Sequence, residues 1–291
     1  MRGRAHFTFS FVCPGLVCSM RDAQRPMTPL PSLESLQPLT RFTDRVADYV
    51  RYRPDYPEAL FQCLTERAGL GPSAVVADVG SGTGIFSAQL LGHGATVFAV
   101  EPNAAMRAAA EAQLGAESRF ISVDGTSETT GLVEGTITLI TSAQAFHWFT
   151  PAPTRREFAR ISRPEARWAL IWNSAPAELD PLNQEYERIK LAYGTDFSEV
   201  RHQGGKARQK IEDFFGPGGY ERFTFPHGQW LDQAGFRGRM LSSSFAPQVG
   251  RPGHDAMLQE LDRAFAQYQQ AGQVRIDYET ELYLGRPASA L

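Results

Sequence analysis

The chain has 291 residues, 42% of them hydrophobic, with 29 Lys+Arg against 32 Asp+Glu and a net charge of −3. A chain of this length buries roughly three quarters of its unfolded surface, so one domain with an elaboration is expected. The basic residues are scattered, which disfavours a nucleic-acid or membrane-surface partner and favours a small molecule.

Cys13, Cys18 and Cys63 form neither a disulfide framework nor a metal-ligand spacing. Free thiols fit a reducing, cytoplasmic setting, and no metal is expected. No apolar run approaches the ~18 residues of a membrane helix. At the N-terminus, Arg2 and Arg4 precede "FTFSFVCPGLVCS" and the Pro-rich "QRPMTPLPSLESLQPLT". Pro14 and Gly15 break the apolar patch and no small-x-small cleavage site follows, so residues 1–40 read as a disordered extension without chemistry. Met20 and Met27 are alternative starts.

From residue 41 onward helical and strand patterns alternate. "YPEALFQCLTERAGL" places Leu60, Phe61, Leu64 and Ala68 at helical spacing and stops at Gly69. "AVVADV" and "ATVFAV" read as strands, each followed by a helix, "IFSAQLLGHG" and "NAAMRAAAEAQLG". "RFISV", "TITLITSA" and "RWALIWN" read as further strands, with "APTRREFARIS" a helix before the last. Strands apolar on both faces that alternate with helices predict a mostly parallel sheet between helical layers. Beyond Asn173, "PLNQEYERIKLAYG", "SSSFAP" and "HDAMLQELDRAFAQYQQAG" are expected to build a helical cover. Strands near "ERFTFPH" and "VRIDYETELYL" complete the sheet, the latter with Ile276, Tyr278, Thr280, Leu282 and Leu284 on one face. The expected divisions are a lid over 41–56, a cofactor-binding core over 74–173, and cover plus last strands over 174–291.

The densest signal is "VVADVGSGTGIFSAQLLGHGATVFAVEPN", Val75 to Asn103. A strand that ends in glycines and turns into a helix brings bare backbone N–H groups close to a ligand. Gly-x4-Gly-Lys-Ser/Thr is absent, which disfavours a triphosphate cradle. The dinucleotide pattern Gly-x-Gly-x-x-Gly also fails, because the third position is Ile85 or Ser87. Asp78, two residues before Gly80, would repel a pyrophosphate and suit a cationic ligand. Glu101, 23 residues on, ends the second strand where such folds grip ribose hydroxyls. Adenosine with a positive, phosphate-free tail describes S-adenosylmethionine.

"ADVGSGTG" followed by "AVEPNAAM" resembles the first two motifs of the class I S-adenosylmethionine-dependent methyltransferases. That resemblance implies a Rossmann-like, seven-stranded, mostly parallel α/β sheet with helices on both faces and a helical cover inserted in the C-terminal half. It implies that Gly80, Ser81, Gly82 and Gly84 underlie the methionine half, that Glu101 accepts from the ribose, and that Pro102 and Met106 flank the adenine. In "SVDGTSET", Asp124 and Thr126 are alternative partners of the adenine amine, with Ser127 beside them. "RFTDRVADYVRYRPDYPEAL", "SAQAFHWF", "RWALIWN", "SSSFAP" and "YETELYLGR" are similar to the small-molecule branch that includes trans-aconitate methyltransferase-like proteins. Where nucleic-acid amino-methyltransferases carry Asn/Asp/Ser-Pro-Pro-Tyr/Phe, this chain has "QAFH", beginning at Gln144, which is counted with the cofactor contacts. It departs from the family at Thr138, where an Asp is usual, and at Pro164, Glu165 and Ala166, where a Pro-Gly-Gly turn is usual.

A methyl sulfonium is already activated, so the protein must mainly align a nucleophile at about 3 Å and exclude water. His147 is the candidate base, with a hydrogen-bonded packing role as its alternative. Tyr49, Tyr52 and Trp148 are candidate acceptor contacts, and Arg53 suits the methionine carboxylate. The expected function is methyl transfer to a small organic acceptor, by O-methylation of a carboxylate. The alternatives are a non-catalytic S-adenosylmethionine-binding module and, more weakly, an NAD(P)-dependent oxidoreductase.

Overall fold

The computed structural model of the chain describes residues 46–195, 209–216 and 218–286. The extension expected over 1–40 lies outside them, and all that follows concerns the unit Ser32–Leu291. Two short helices come first, α1 (Val46–Tyr52) and α2 (Glu58–Ala68), the latter closed by Gly69 in the left-handed conformation. Then β1 (Val75–Val79), α3 (Ile85–Gly92), β2 (Thr96–Val100), α4 (Ala104–Leu114), β3 (Phe120–Val123), β4 (Ile137–Ala143), α5 (Pro151–Ile161) and β5 (Ser162–Ser174) alternate. The C-terminal part holds α6 (Pro181–Tyr193), helix α7 seen over 209–215, β6 (Tyr220–Leu231), α8 (Gln233–Leu241), α9 (His254–Tyr268) and β7 (Val274–Gly285).

Among the described residues one seven-stranded sheet forms, in the order β3-β2-β1-β4-β5-β7-β6. The pairings from β3 through β5 are parallel, and β7 runs antiparallel to both β5 and β6. This is the expected Rossmann-like sheet, and its strand order reverses between β1 and β4. At such a reversal the helices after the two strands leave on opposite sides and open a crevice at the strands' carboxyl ends.

Alternation along the central strands separates the two cores. In β5, Ala169 and Ile171 face the layer of α2 and α3 with Phe61, Leu64 and Leu90, whereas Trp168 and Leu170 face Phe158, Phe214 and Phe215. β7 does more than close the sheet. Its Leu282 and Leu284 join the first core, while Ile276 and Tyr278, on the same face nearer its start, join a third cluster with Tyr186, Phe236, Met240 and Leu261 of the cover. A strand of 12 residues thus carries both layers, with the alternation expected from sequence.

Caps fix where the helices begin. Asn103 Oδ1 accepts from Met106 N–H, Asp180 Oδ1 from Asn183 N–H, and Asp232 Oδ1 from Gly235 N–H. "SSSFAP", expected in the helical cover, instead forms turns and bends over 242–246 after α8. Three serines whose hydroxyls can bond nearby carbonyls compete with helix here, as Ser242 Oγ does with Arg239 O, and Pro247 blocks continuation. Two departures from the family pattern lie in the sheet. Thr138 Oγ1 accepts from Val75 N–H and donates to Val75 O, tying β4 to β1. Pro164, Glu165 and Ala166 lie within β5, where its register against β4 shifts.

The first helix and the residues after it are held against the sheet and α8. Gln229 Nε2 donates to Tyr52 O, Asn173 Nδ2 donates to Asp55 O, and the ring of Tyr52 lies so close to Gly238 of α8 that a Cβ there would stand 2.2 Å from it. Gly238→Ala should therefore unseat α1 while sparing the core. Hydrogen exchange over residues 46–53 should rise at least tenfold, with a melting temperature lowered by no more than about 4 °C. Unchanged exchange there would show that the contact does not hold α1.

Candidate active site

Three adjoining cavities occupy the carboxyl ends of β1, β2 and β4. The first, of about 310 Å³, is lined by Glu101, Pro102, Met106, Thr126, Ser127 and Phe149, among others. A narrower one runs under the glycine loop past Asp78, Gly80, Ser81, Thr83, Arg53 and Arg239. The third, of about 670 Å³, lies under the cover beside His147, Trp148, Asn173, Glu187 and Lys190. Tyr49 and Gln144 line all three and mark their junction.

The glycine loop works by contour more than by donors. Gly80 and Ser81 N–H both donate to Val100 O, and Gly82 N–H donates to Glu101 Oε2 at 2.9 Å. The bare N–H groups expected from the sequence are thus largely used within the protein. At Gly80, with φ +73°, a Cβ would stand 2.5 Å from the Ala145 Cβ and would close the passage between β1 and β4. Gly84 lines none of the three cavities; it is the N-cap of α3, packed against Ala110 and Leu114 of α4.

Two acids are buried at the strand ends. Glu101 Oε1 accepts from Asn103 N–H and Oε2 from Gly82 N–H, and burial raises its pKa against the pull of those bonds. A carboxylate has about four lone-pair sites, so two remain for hydroxyl donors on the cavity side. Asp78 accepts from Ser87 Oγ at 2.6 Å and Thr141 Oγ1 at 2.9 Å, and burial pushes its carboxyl up from 3.8 to about 6 despite both bonds. Beside it, Ser81 Oγ, Thr83 Oγ1 and Arg53 Nε are buried without a hydrogen-bond partner. Orphaned donors and acceptors around a carboxyl fit the zwitterionic end of an amino acid. Glu101, the Met106 sulfur and the Phe149 ring of the 310 Å³ cavity fit a nucleoside.

The other candidates divide plainly. Thr126 and Ser127 line the first cavity, whereas the Asp124 carboxylate lies outside its lining, 3.1 Å from Arg107 Nη2. Tyr49 lies at the junction, with the Arg53 guanidinium 4.7 Å from its ring centre, but Tyr52 is turned onto α8 and lines none of the three cavities. His147 and Trp148 sit in a short 3-10 turn, Phe146–Trp148. Trp148 borders two cavities and His147 only the third. Gln144, which enters that turn, has φ +58°, a costly conformation for a residue with a Cβ. Its Nε2 donates to Asn173 O.

Sequence reading missed two cations. Lys210 of α7 donates from one ammonium to the carbonyls of Phe146, His147 and Phe149, holding the turn that carries His147, and burial lowers its pKa to about 8. Arg239 of α8 reaches the glycine-loop cavity from the cover. Both come from segments far along the chain, "ARQKIEDFF" and "FRGRML", whose charges look like ordinary helix surface in sequence. Among the described residues no His/Cys/Asp/Glu cluster could hold a metal, and no helix is long and apolar enough to cross a membrane.

Residues 77–170 match a family model described as "Methyltransferase domain". An uncharacterised methyltransferase-like protein of Schizosaccharomyces pombe is 24% identical over 252 residues, 83% of this chain and 93% of its own length. An uncharacterised methyltransferase of Mycobacterium tuberculosis is 33% identical over 160 residues, which cover 55% of this chain and 61% of that protein. Among solved structures, a protein provisionally named a type II methyltransferase from Anaeromyxobacter dehalogenans superposes with a TM-score of 0.58 at 22% identity, over 81% of this chain and 98% of its own. The sheet order, the acid-and-glycine cradle and these relatives converge: the chain is a class I S-adenosylmethionine-dependent methyltransferase.

Proposed function

We propose that the enzyme methylates a small organic acceptor held in the chamber under the cover, and that the accepting atom is a carboxylate oxygen. The observation that carries this reading is the chamber itself: about 670 Å³, joined to the cofactor cavities at Tyr49 and Gln144 and bordered by Arg53 and by Lys190, which is paired with Glu187. That volume suits a metabolite and has no room for a duplex or a protein chain.

S-adenosylmethionine supplies an electrophilic methyl group when bound. The residues of the chain then have three tasks. Glu101 would accept from the ribose hydroxyls, while Pro102, Met106, Trp148 and Phe149 would enclose the adenine. Thr126 and Ser127 would border the amine edge. Asp78, Ser81, Thr83 and Arg53 would take the amino-acid end, with the acid opposite the ammonium and the guanidinium near the carboxylate. Tyr49 and Gln144 would exclude water at the junction and align the acceptor, and positioning alone contributes up to roughly 7–11 kcal/mol to such transfers. An acceptor carboxylate is ionised at neutral pH and needs no base, so His147 would hydrogen-bond or orient it.

Isotope-labelled methyl transfer to a panel of carboxylic acids, alcohols and amines should label acids as base-labile methyl esters. His147→Gln should keep its turnover number within about tenfold, the scale of a lost hydrogen bond of about 1.4 kcal/mol. A loss of a thousandfold or more with cofactor affinity intact would make His147 a general base and the acceptor a hydroxyl or amine.

Cofactor affinity should fall on acidification. Asp78 carries its charge above a pH of about 6 and is neutral below it, so the attraction for an ammonium is present above that value and lost as pH falls through it. The dissociation constant should rise by up to about tenfold per pH unit below pH 6. Asp78→Asn should bind more weakly at pH 7.5 and show a flatter profile, with the remaining slope from Glu101, which burial shifts the same way. A wild-type profile flat from pH 7.5 to 5 would contradict this role.

A further inference from the structure

Two guanidinium groups from distant parts of the chain line the glycine-loop cavity, that of Arg53, just after α1, and that of Arg239, on α8. Neither has a carboxylate partner among the described residues. By contrast, Arg237, two residues earlier on α8, pairs with Asp262, and Arg107 of α4 pairs with Asp124. Among the described residues Asp78 is the only acid that lines this cavity, and its carboxyl already accepts from Ser87 and Thr141.

The protein's own contacts hold the two cations near one another. Arg53 Nη2 donates at 2.9 Å to the carbonyl of Ser242, the C-cap of α8, three residues past Arg239. A helix C-terminus suits a cation. Yet Arg53 Nε is buried without a partner, and burial lowers the pKa of the group, with the charge of Arg239 adding to that effect. Arg239 is fixed by neutral groups. Its Nε donates to Tyr278 Oη at 2.9 Å, its Nη1 to Ser243 Oγ at 3.3 Å, and its Cζ lies 5.6 Å from the centre of the Tyr278 ring. Those bonds use only part of a guanidinium's capacity of about five N–H donors. The Tyr52 ring against Gly238 brings α1 and α8 together at the same place.

Two like charges withdrawn from water without a counter-ion are costly, and a site that keeps them is built to receive an anion. The amino-acid end of the cofactor brings an ammonium, which suits Asp78, and a carboxylate. That carboxylate has about four lone-pair sites, enough for a two-pronged bond from each of two guanidiniums. We propose that Arg239 is a second receptor for the cofactor's carboxylate, shared with Arg53, so that the bound cofactor ties α8 of the cover to the segment after α1. This rests on the placement of the amino-acid end under the glycine loop. Arg53 also borders the chamber under the cover, so entry of the cofactor fixes one wall of the acceptor's chamber. In the empty enzyme the two segments repel at these charges, and in the loaded enzyme one anion joins them.

The test is calorimetric titration with S-adenosylhomocysteine and with its decarboxylated analogue, S-adenosylthiopropylamine, which keeps the nucleoside, the sulfur and the amine and lacks only the carboxylate. The wild type should prefer S-adenosylhomocysteine by about a hundredfold, at roughly tenfold for each charge-assisted contact. Arg239→Gln should weaken S-adenosylhomocysteine by roughly tenfold and leave the analogue within about twofold. Arg239→Lys, which keeps the charge but not the planar fork, should lie between. Weakening of both ligands alike in Arg239→Gln, or of neither, overturns the proposal. If Arg53→Gln reduces the preference and Arg239→Gln does not, the placement of the amino-acid end stands and the proposal falls. If neither variant changes it, or if the wild type shows no preference, both fall. Hydrogen exchange of the wild type gives a reading that needs no variant. Saturating S-adenosylhomocysteine should slow exchange over residues 233–241 about fivefold more than the saturating analogue does. Equal protection by the two ligands, or protection by neither, overturns the proposal.

Discussion

One buried carboxylate, that of Glu101, organises the carboxyl ends of β1 and β2. Glu101 ends β2, yet its two oxygens reach Gly82 N–H in the loop after β1 and Asn103 N–H at the start of α4. Arg107 of α4 returns a bond to Glu101 O. Three elements that leave the sheet in different directions are thereby fixed to one side chain, at about 1.5–3 kcal/mol for each charge-assisted bond. Burial makes that charge expensive, and each of its two oxygens accepts a backbone N–H. The Gly80–Gly82 turn, the Asn103 cap and the floor of the 310 Å³ cavity all depend on it.

The chamber under the cover depends on a different set of contacts. The long β7 belongs to two hydrophobic layers at once, so the cover is continuous with the sheet rather than hung on a linker. The same cover sends Arg239 down to the glycine loop and lets Gly238 seat the Tyr52 ring, which leaves Tyr49 of the same helix at the junction. Lys210 works from the opposite layer, its ammonium collecting three carbonyls of the turn that presents His147. A left-handed residue with a side chain, Gln144, sits where these parts converge. Strain of that kind persists only where surrounding contacts over-determine the backbone, as the bonds from Gln144 to Ile171 O and Asn173 O do.

Much of this was legible in the sequence, for reasons that differ by element. The strands VVADV and TVFAV are apolar on both faces and end in an acid or glycine, so their identity, order and site could be read from spacing alone. Glu101 and Asp78 stood out because an acid at the end of a buried strand has no packing reason to be there. What could not be read was direction. Tyr49 and Tyr52 lie three residues apart and look equivalent, yet one meets the cavities and the other meets Gly238. Asp124 and Thr126 stand as alternatives in the sequence, but Thr126 lines the first cavity whereas Asp124 lies outside its lining, paired with Arg107. The glycine loop's N–H groups seemed free because their acceptors, Val100 O and the Glu101 carboxylate, come from the neighbouring strand and the residue after it. Arg239 and Lys210 carried no local signal, since their significance comes from helices packed across the sheet.

The central claim is that the reactive centre lies where the three cavities meet, beside Tyr49 and Gln144. A crystal structure of the complex with S-adenosylhomocysteine tests it most directly. The account predicts both ribose hydroxyls within about 3.2 Å of the Glu101 carboxylate and the sulfur at the junction, facing the chamber of His147 and Lys190. A cofactor whose sulfur faces away from that chamber, or whose ribose is held by groups other than Glu101, would contradict it.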